Sequence, residues 1–260
     1  MKHPNFKTVN DIVIKAFSLK EDTASHDEIK SRLLSAGKVT GTNMCVMVCA
    51  MIIASVGLNS GSITMIIGAM LIEPLMGSIL DVAYGVVSVD YRMTRDHMLG
   101  FLIQIGISVL AATLLFLISP IKVPSNELLS ISDPSPFDVT VALVGGCAGV
   151  IGQTRKEKFN TIIPGVAIAT SLMPPLCAIG YGLANGQWRI MGGAAYMFIV
   201  NAYFIFLGAG LVLSLFHIPR QHEMTDEEWK KLKRDMDRNT IVMLMPFIIA
   251  LGKSLIEKII

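Results

Sequence analysis

A long apolar run in this chain carries a carboxylate and a proline at its centre, in Gly68-Ala69-Met70-Leu71-Ile72-Glu73-Pro74-Leu75-Met76-Gly77. A second run, Gly165-Val166-Ala167-Ile168-Ala169-Thr170-Ser171-Leu172-Met173-Pro174-Pro175, lies 97 residues later and is interrupted by hydroxyls and two prolines. Proline removes a backbone donor and disrupts a helix. Hydrocarbon tolerates the freed carbonyls only where protein or a water-filled cavity satisfies them. Two interrupted segments at corresponding places in two halves point to a transport-type site made of broken helices.

The rest of the chain agrees with a membrane setting. Mean hydropathy is +0.59, with 52% hydrophobic and 16% charged residues, a balance typical of polytopic membrane proteins. A span needs about 20 mostly apolar residues. Six stretches qualify, roughly 43–60, 62–89, 98–118, 137–153, 161–185 and 190–216. The second is too long for one straight span, which fits a break at Glu73-Pro74. A seventh stretch, 240–260, contains Pro246, Lys253, Glu257 and Lys258 and reads either as a span or as an interfacial helix. The first forty residues are polar and show no apolar core of a signal peptide.

Lysine and arginine orient the spans. Seven fall before the first span, then none at 60–62, Arg92 and Arg95 in the next loop, and Lys122 alone in the loop after that. Arg155, Lys156 and Lys158 follow, then Arg189, then six between Arg220 and Arg238. Alternate sides total eighteen against two. The positive-inside rule makes the N-terminus cytoplasmic and 119–136 an external loop, in the inner (plasma) membrane. Residues 1–42 read as a cytoplasmic amphipathic segment, with helical spacing over 9–20 and a helix over 26–36 started by Ser25 with Glu28 and stopped at Gly37. Residues 217–239 read as a basic amphipathic helix started by Thr225 with Glu228. Its Lys230, Lys231 and Arg234 are placed either to meet lipid headgroups or to be solvated on the protein's own loops.

Sliding the chain over itself by 97 positions superposes spans one to three on spans four to six. Thr64/Thr161, Gly68/Gly165, Leu75/Leu172, Met76/Met173, Tyr84/Tyr181, Gly85/Gly182 and Arg92/Arg189 coincide. Each unit has an odd number of spans, so the second enters the membrane inverted. The expected architecture is all-α, a polytopic membrane protein of six or seven transmembrane helices. It forms two inverted three-helix repeats, 43–118 and 137–216, with Pro/Gly-broken helices 2 and 5.

The candidate binding residues follow from depth. Glu73, at mid-span, is either a proton, cation or ligand site or a neutral cap for carbonyls freed by Pro74. Asp81 either joins the same polar face or caps the interface. Thr170, Ser171, Pro174 and Pro175 mark the second break. Asn59 and Asn201 are amides inside spans, as is Gln104, which holds a near-equivalent but not identical place to Asn201; interhelical packing is the plainer role for each. Histidines fall in loops or interfaces, and no zinc-protease helix or nucleophile elbow is present. The four cysteines lie in apolar runs as packing thiols. An enzyme, a metal site, a cofactor and nucleic-acid binding are therefore not expected. Glycines in span four, such as Gly145, Gly146 and Gly149, allow close helix approach, and suggest a homo-oligomer.

The run Ile53-Ala54-Ser55-Val56-Gly57-Leu58-Asn59-Ser60, the two broken runs quoted above and Asn201 together resemble the family catalogued as domain of unknown function 389, over about 44–216. The resemblance implies a prokaryotic integral membrane protein and brings no activity with it. The first reading is binding or transport of a small solute or ion at a midplane site between broken helices 2 and 5. The alternatives are a lipid-binding membrane protein holding phospholipid in intramembrane grooves without transport, and a structural or regulatory membrane subunit. Single-cysteine labelling on a cysteine-free background tests the orientation. A cysteine at 126 should react from outside and one at 156 only from the cytoplasm; external reaction at 156 reverses the topology.

Overall fold

The computed structural model describes residues 23–72, 74–132, 135–155, 172–216, 218–219, 225, 227–228 and 230–242. The expected helix over 9–20, Glu73, Thr170, Ser171, the first half of the expected fifth span and most of 240–260 lie outside these residues. The named helices are α1 (His26–Ala36), α2 (Gly41–Ser60), α3 (Ile63–Met70), α4 (Leu75–Val87), α5 (Tyr91–Ile118), α6 (Asn126–Ile131), α7 (Pro136–Thr154), α8 (Met173–Asn185) and α9 (Trp188–Leu215). Residues 230–242 are also helical, and no strand occurs among the described residues.

Local sequence explains the ends. Ser25 accepts from the Glu28 amide at 3.3 Å, but the Glu28 carboxylate pairs with Arg32 instead of returning to the cap. The Thr225–Glu228 box is complete, with Glu228 accepting from the Thr225 amide at 3.0 Å and Thr225 Oγ1 from the Glu228 amide at 3.3 Å. These bonds to the Glu228 carboxylate hold it below the usual carboxylate range. The segment between α5 and α7 is not a plain linker: Ser125 caps α6 and donates to the Leu58 carbonyl at the end of α2, and Leu128 is fully buried.

Among the described residues, four helices are long and apolar enough to cross a bilayer: α2, α5, α7 over Phe137–Thr154, and α9. The pair α3 and α4, bent by 41° across 71–74, makes a fifth. The chain is thus a helical membrane protein. The break falls where the sequence puts it, beside Pro74.

Two ends of the bundle can be told apart by contacts. At one end, Tyr181 at the end of α8 donates to the Lys122 carbonyl beyond α5, and Gln187 before α9 reaches the Tyr181 hydroxyl at 3.4 Å. At the other, α1 sits against α4 and α7, with Arg32 donating to the Arg155 carbonyl and the Ala24 amide to the Thr154 carbonyl. Helices α5 and α9 therefore run in opposite directions. So do the 13-residue helices α4 and α8, each folded back along its successor through a short turn. Helix α8 packs on α5 and α9, and α4 packs on α5 and α9.

The offset of 97 recurs in these turns. Helices α5 and α9 are both 28 residues long and start 97 apart. The Asp90 amide donates to Gly85 O and the Gln187 amide to Gly182 O, both at 2.9 Å. Gly85 abuts Thr94, and Gly182 abuts Met191. Each turn needs one left-handed residue, supplied by Val89 (φ 57) in the first and Gly186 (φ 65) in the second. Glycine adopts that region without strain and valine does not.

The interface of α7 with α9 is the most extensive in the bundle. It is close because Gly146 lies on the Ile205 carbonyl and Gly208 on the Leu143 carbonyl, with no room for a Cβ at either. Gly208→Val should lower stability by about 1–3 kcal/mol through overpacking. Gly210→Ala, which adds a methyl into open space, should be near neutral. Thermal unfolding in detergent compares the two, and equal midpoints would discount the close packing.

Candidate functional site

Helix α4 carries Pro74, Ser78 and Asp81 at spacings of four and three, before and along one face. Helix α5 carries His97, Gln104 and Ser108 at spacings of seven and four, again one face. The turn at 88–90 folds the helices antiparallel, so the two polar rows meet. Asp81 Oδ2 lies 3.3 Å from His97 Nδ1. One turn deeper, Ser78 Oγ donates to Gln104 Oε1 at 2.7 Å. Asp81, Ser78, Gln104 and Ser108 are buried, and so is Ser55 of α2.

The linker between α1 and α2 closes one end of this row. The Gly37 carbonyl is 3.1 Å from Ser78 Oγ, and a Cβ on Gly37 would collide with Asp81 and with the Ser78 backbone. The single Ser78 hydroxyl proton thus faces two acceptors. A turned Gln104 amide would donate to Ser78 and release that proton to Gly37. The His97 side chain is 22% exposed and opens the row toward the α1 end. Asp81 and His97 together form either an ion pair or a neutral pair, according to which of them holds the proton. The buried Gln104 Nε2, Ser108 Oγ and Ser55 Oγ have no hydrogen-bond partner among the described residues in the placement shown.

Gln104 is the fourteenth residue of α5, and Asn201 the fourteenth of α9. They are 97 apart, so they hold the same register, not merely neighbouring ones. Both are buried. Because α4 and α8 are half the length of the helices they fold along, their N-termini end near these amides. Helix N-termini present unsatisfied amides and a partial positive charge. Pro174 and Pro175, both buried in the first turn of α8, lack the amide hydrogens they would otherwise present there.

The other expected site residues are dispersed. Asn59 donates to Ser119 Oγ beyond the C-terminus of α5. Ser119 is 22 residues past His97, about 33 Å along the helix. Lys230, Lys231 and Arg234 are exposed, while Tyr203 of α9 ties the same stretch to the bundle through the Met236 carbonyl at 2.9 Å. Thr170, Ser171 and Glu73 lie outside the described residues. Sequence reasoning missed His97, assigned to a loop or interface but found inside α5, and missed Ser78. The signal was the row His97, Gln104, Ser108 on one helical face. No group of three metal-type ligands occurs among the described residues.

The profile of DUF389, a domain of unknown function, matches residues 70–207, just over half of the chain. The chain belongs to the DUF389 family. The match begins one residue before the α3–α4 break and ends within α9, so it takes in both polar rows and Asn201. The chain is also 23% identical over 189 residues to Uncharacterized protein MJ0678 of Methanocaldococcus jannaschii. That alignment covers 73% of this chain and 58% of the relative, so the chain matches little more than half of that relative's length. No solved structure matches.

For this DUF389 chain, Ser78→Ala should remove the donor to Gln104 and leave a buried acceptor unpaired. A loss of about 1–3 kcal/mol is expected, read as a lower midpoint in a denaturant titration. An unchanged midpoint would mean that the Ser78–Gln104 contact contributes nothing.

Proposed function

We propose that the protein is an inner-membrane, non-enzymatic binder or transporter of a small polar solute or ion, with its site at mid-bilayer between α4 and α8. In this reading 43–118 and 137–216 are two inverted repeats, and Glu73, Thr170 and Ser171 belong to the same site as Asn201. One observation carries it: two antiparallel half-helices end near the middle of the bundle, where two buried amides occupy the same register 97 apart. Half-helix ends facing a polar centre are how transport folds hold polar guests in hydrocarbon.

The inverted repeat has its own support. Phe101 and Phe198, 97 apart, stack at 6.1 Å between ring centroids. A residue meets its own equivalent only beside the axis that relates two halves. Phe101 is near the middle of α5, and α5 and α9 run oppositely, which favours an axis in the membrane plane. The packing of α8 on α5 mirrors that of α4 on α9.

Accessibility tests the site without knowledge of the solute. On a background lacking Cys45, Cys49, Cys147 and Cys177, Gln104→Cys and Asn201→Cys should react with a small water-soluble thiol reagent. Lys122→Cys serves as the exposed control. Failure of both mid-helix positions, with the control labelled, would mean a dry core and would overturn the reading.

A further inference from the structure

A groove of about 770 Å³ runs between α2 and α5, walled by Val48, Ile52, Val56, Ile107, Leu110 and Leu114. Ile52, Val56, Leu110 and Leu114 are each 41–58% exposed on helices that cross the bilayer, so the groove faces hydrocarbon. From Val48 to Asn59 it follows α2 for eleven residues, about 17 Å. The hydrocarbon of one leaflet is about 15 Å deep. Its length is therefore that of one acyl chain layer.

One end of the groove is polar. Asn59, Ser60 and Ser119 line it there, with Asn59 donating to Ser119. Just beyond, the Lys122 ammonium rests on the carbonyls of Phe116 at 2.8 Å and Leu117 at 3.3 Å, with one proton left over. On the same end, the Glu127 carboxylate lies beside Gly61 in the turn after α2. The mouth thus offers one charge of each sign at the level where a headgroup begins.

The matching crevice in the other half is closed. Gly146 and Gly208 bring α7 and α9 into backbone contact, whereas the residues 97 earlier are Cys49 and Ala111. Cys49 is exposed and Ala111 lines the groove. The groove is therefore a property of one half only.

We propose that this groove is a binding site for a zwitterionic phospholipid of the leaflet at the α6 end, with one acyl chain between α2 and α5, its phosphate at Lys122 and its amine toward Glu127. The site is separate from the polar centre and does not depend on it.

Native mass spectrometry of delipidated protein tests this, with palmitoyl-oleoyl phosphatidylethanolamine and phosphatidylglycerol as probes. Phosphatidylethanolamine should bind saturably, as a single molecule per chain and in preference to phosphatidylglycerol. Ala111→Trp fills the groove and should cut occupancy about tenfold, as expected for displacing roughly two buried methylenes. Leu183→Trp, on the 41% exposed surface of α8, should leave binding unchanged. Lys122→Ala, in an exposed loop, should weaken phosphatidylethanolamine binding, and it keeps the test open if Ala111→Trp does not fold. Wild-type lipid binding by both Ala111→Trp and Lys122→Ala would overturn the proposal. So would preference for phosphatidylglycerol, or an assembly that falls to monomer in Ala111→Trp, which would give the groove to a second copy.

Discussion

Backbone polar groups have no water to turn to inside a bilayer, and the whole arrangement follows from that. The break at 71–74 leaves carbonyls and amides without helical partners. It is tolerable only inside a sheath of intact helices. Helices α5 and α9, each about 42 Å long at 28 residues, supply the sheath, because both pack along both half-helices. The long helices are continuous and the short ones are interrupted, and the polar side chains gather where the interruptions end.

Much of this was legible in the chain. Pro74 announced the break, and the coincidence of Gly85 with Gly182 announced the turns, because both glycines sit where a successor helix comes closest. The apolar lengths marked the stretches that hold α2, α5, α7 and α9. The contacts between rows were not legible. Asp81 was readable as part of a polar face or as an interface cap, but its partner His97 lies 16 residues away across a turn, and helical periodicity within one span says nothing about which faces of two spans meet. The linker at Gly37 was read as a helix stop. Its contact with Ser78 depends on the tertiary fold, which no local pattern encodes.

The turns before α5 and α9 share a hydrogen-bond plan, and the stretches around them are filled differently. Glycines shut the α7–α9 interface, while the residues 97 earlier are Cys49, which is exposed, and Ala111, which lines the groove. The turns differ in the same sense, since the second has Gly186 where the first has a left-handed valine. The valine is kept at 6% exposure, so burial offsets the strain of its backbone.

The crossed packing of α8 on α5 has a consequence for biogenesis. Ala112 and Phe116 are fully buried, and what covers them is Gly180 and the edge of Tyr181, which comes within 5.2 Å of the Phe116 ring. Both belong to a part of the chain made more than sixty residues later. While the ribosome is still extending the second half, that face of α5 rests against lipid tails. Tails are as apolar as the side chains they stand in for, so the wait is inexpensive. Gln104 could not wait on such terms, and its partner Ser78 comes from the same half, already inserted when α5 enters the membrane.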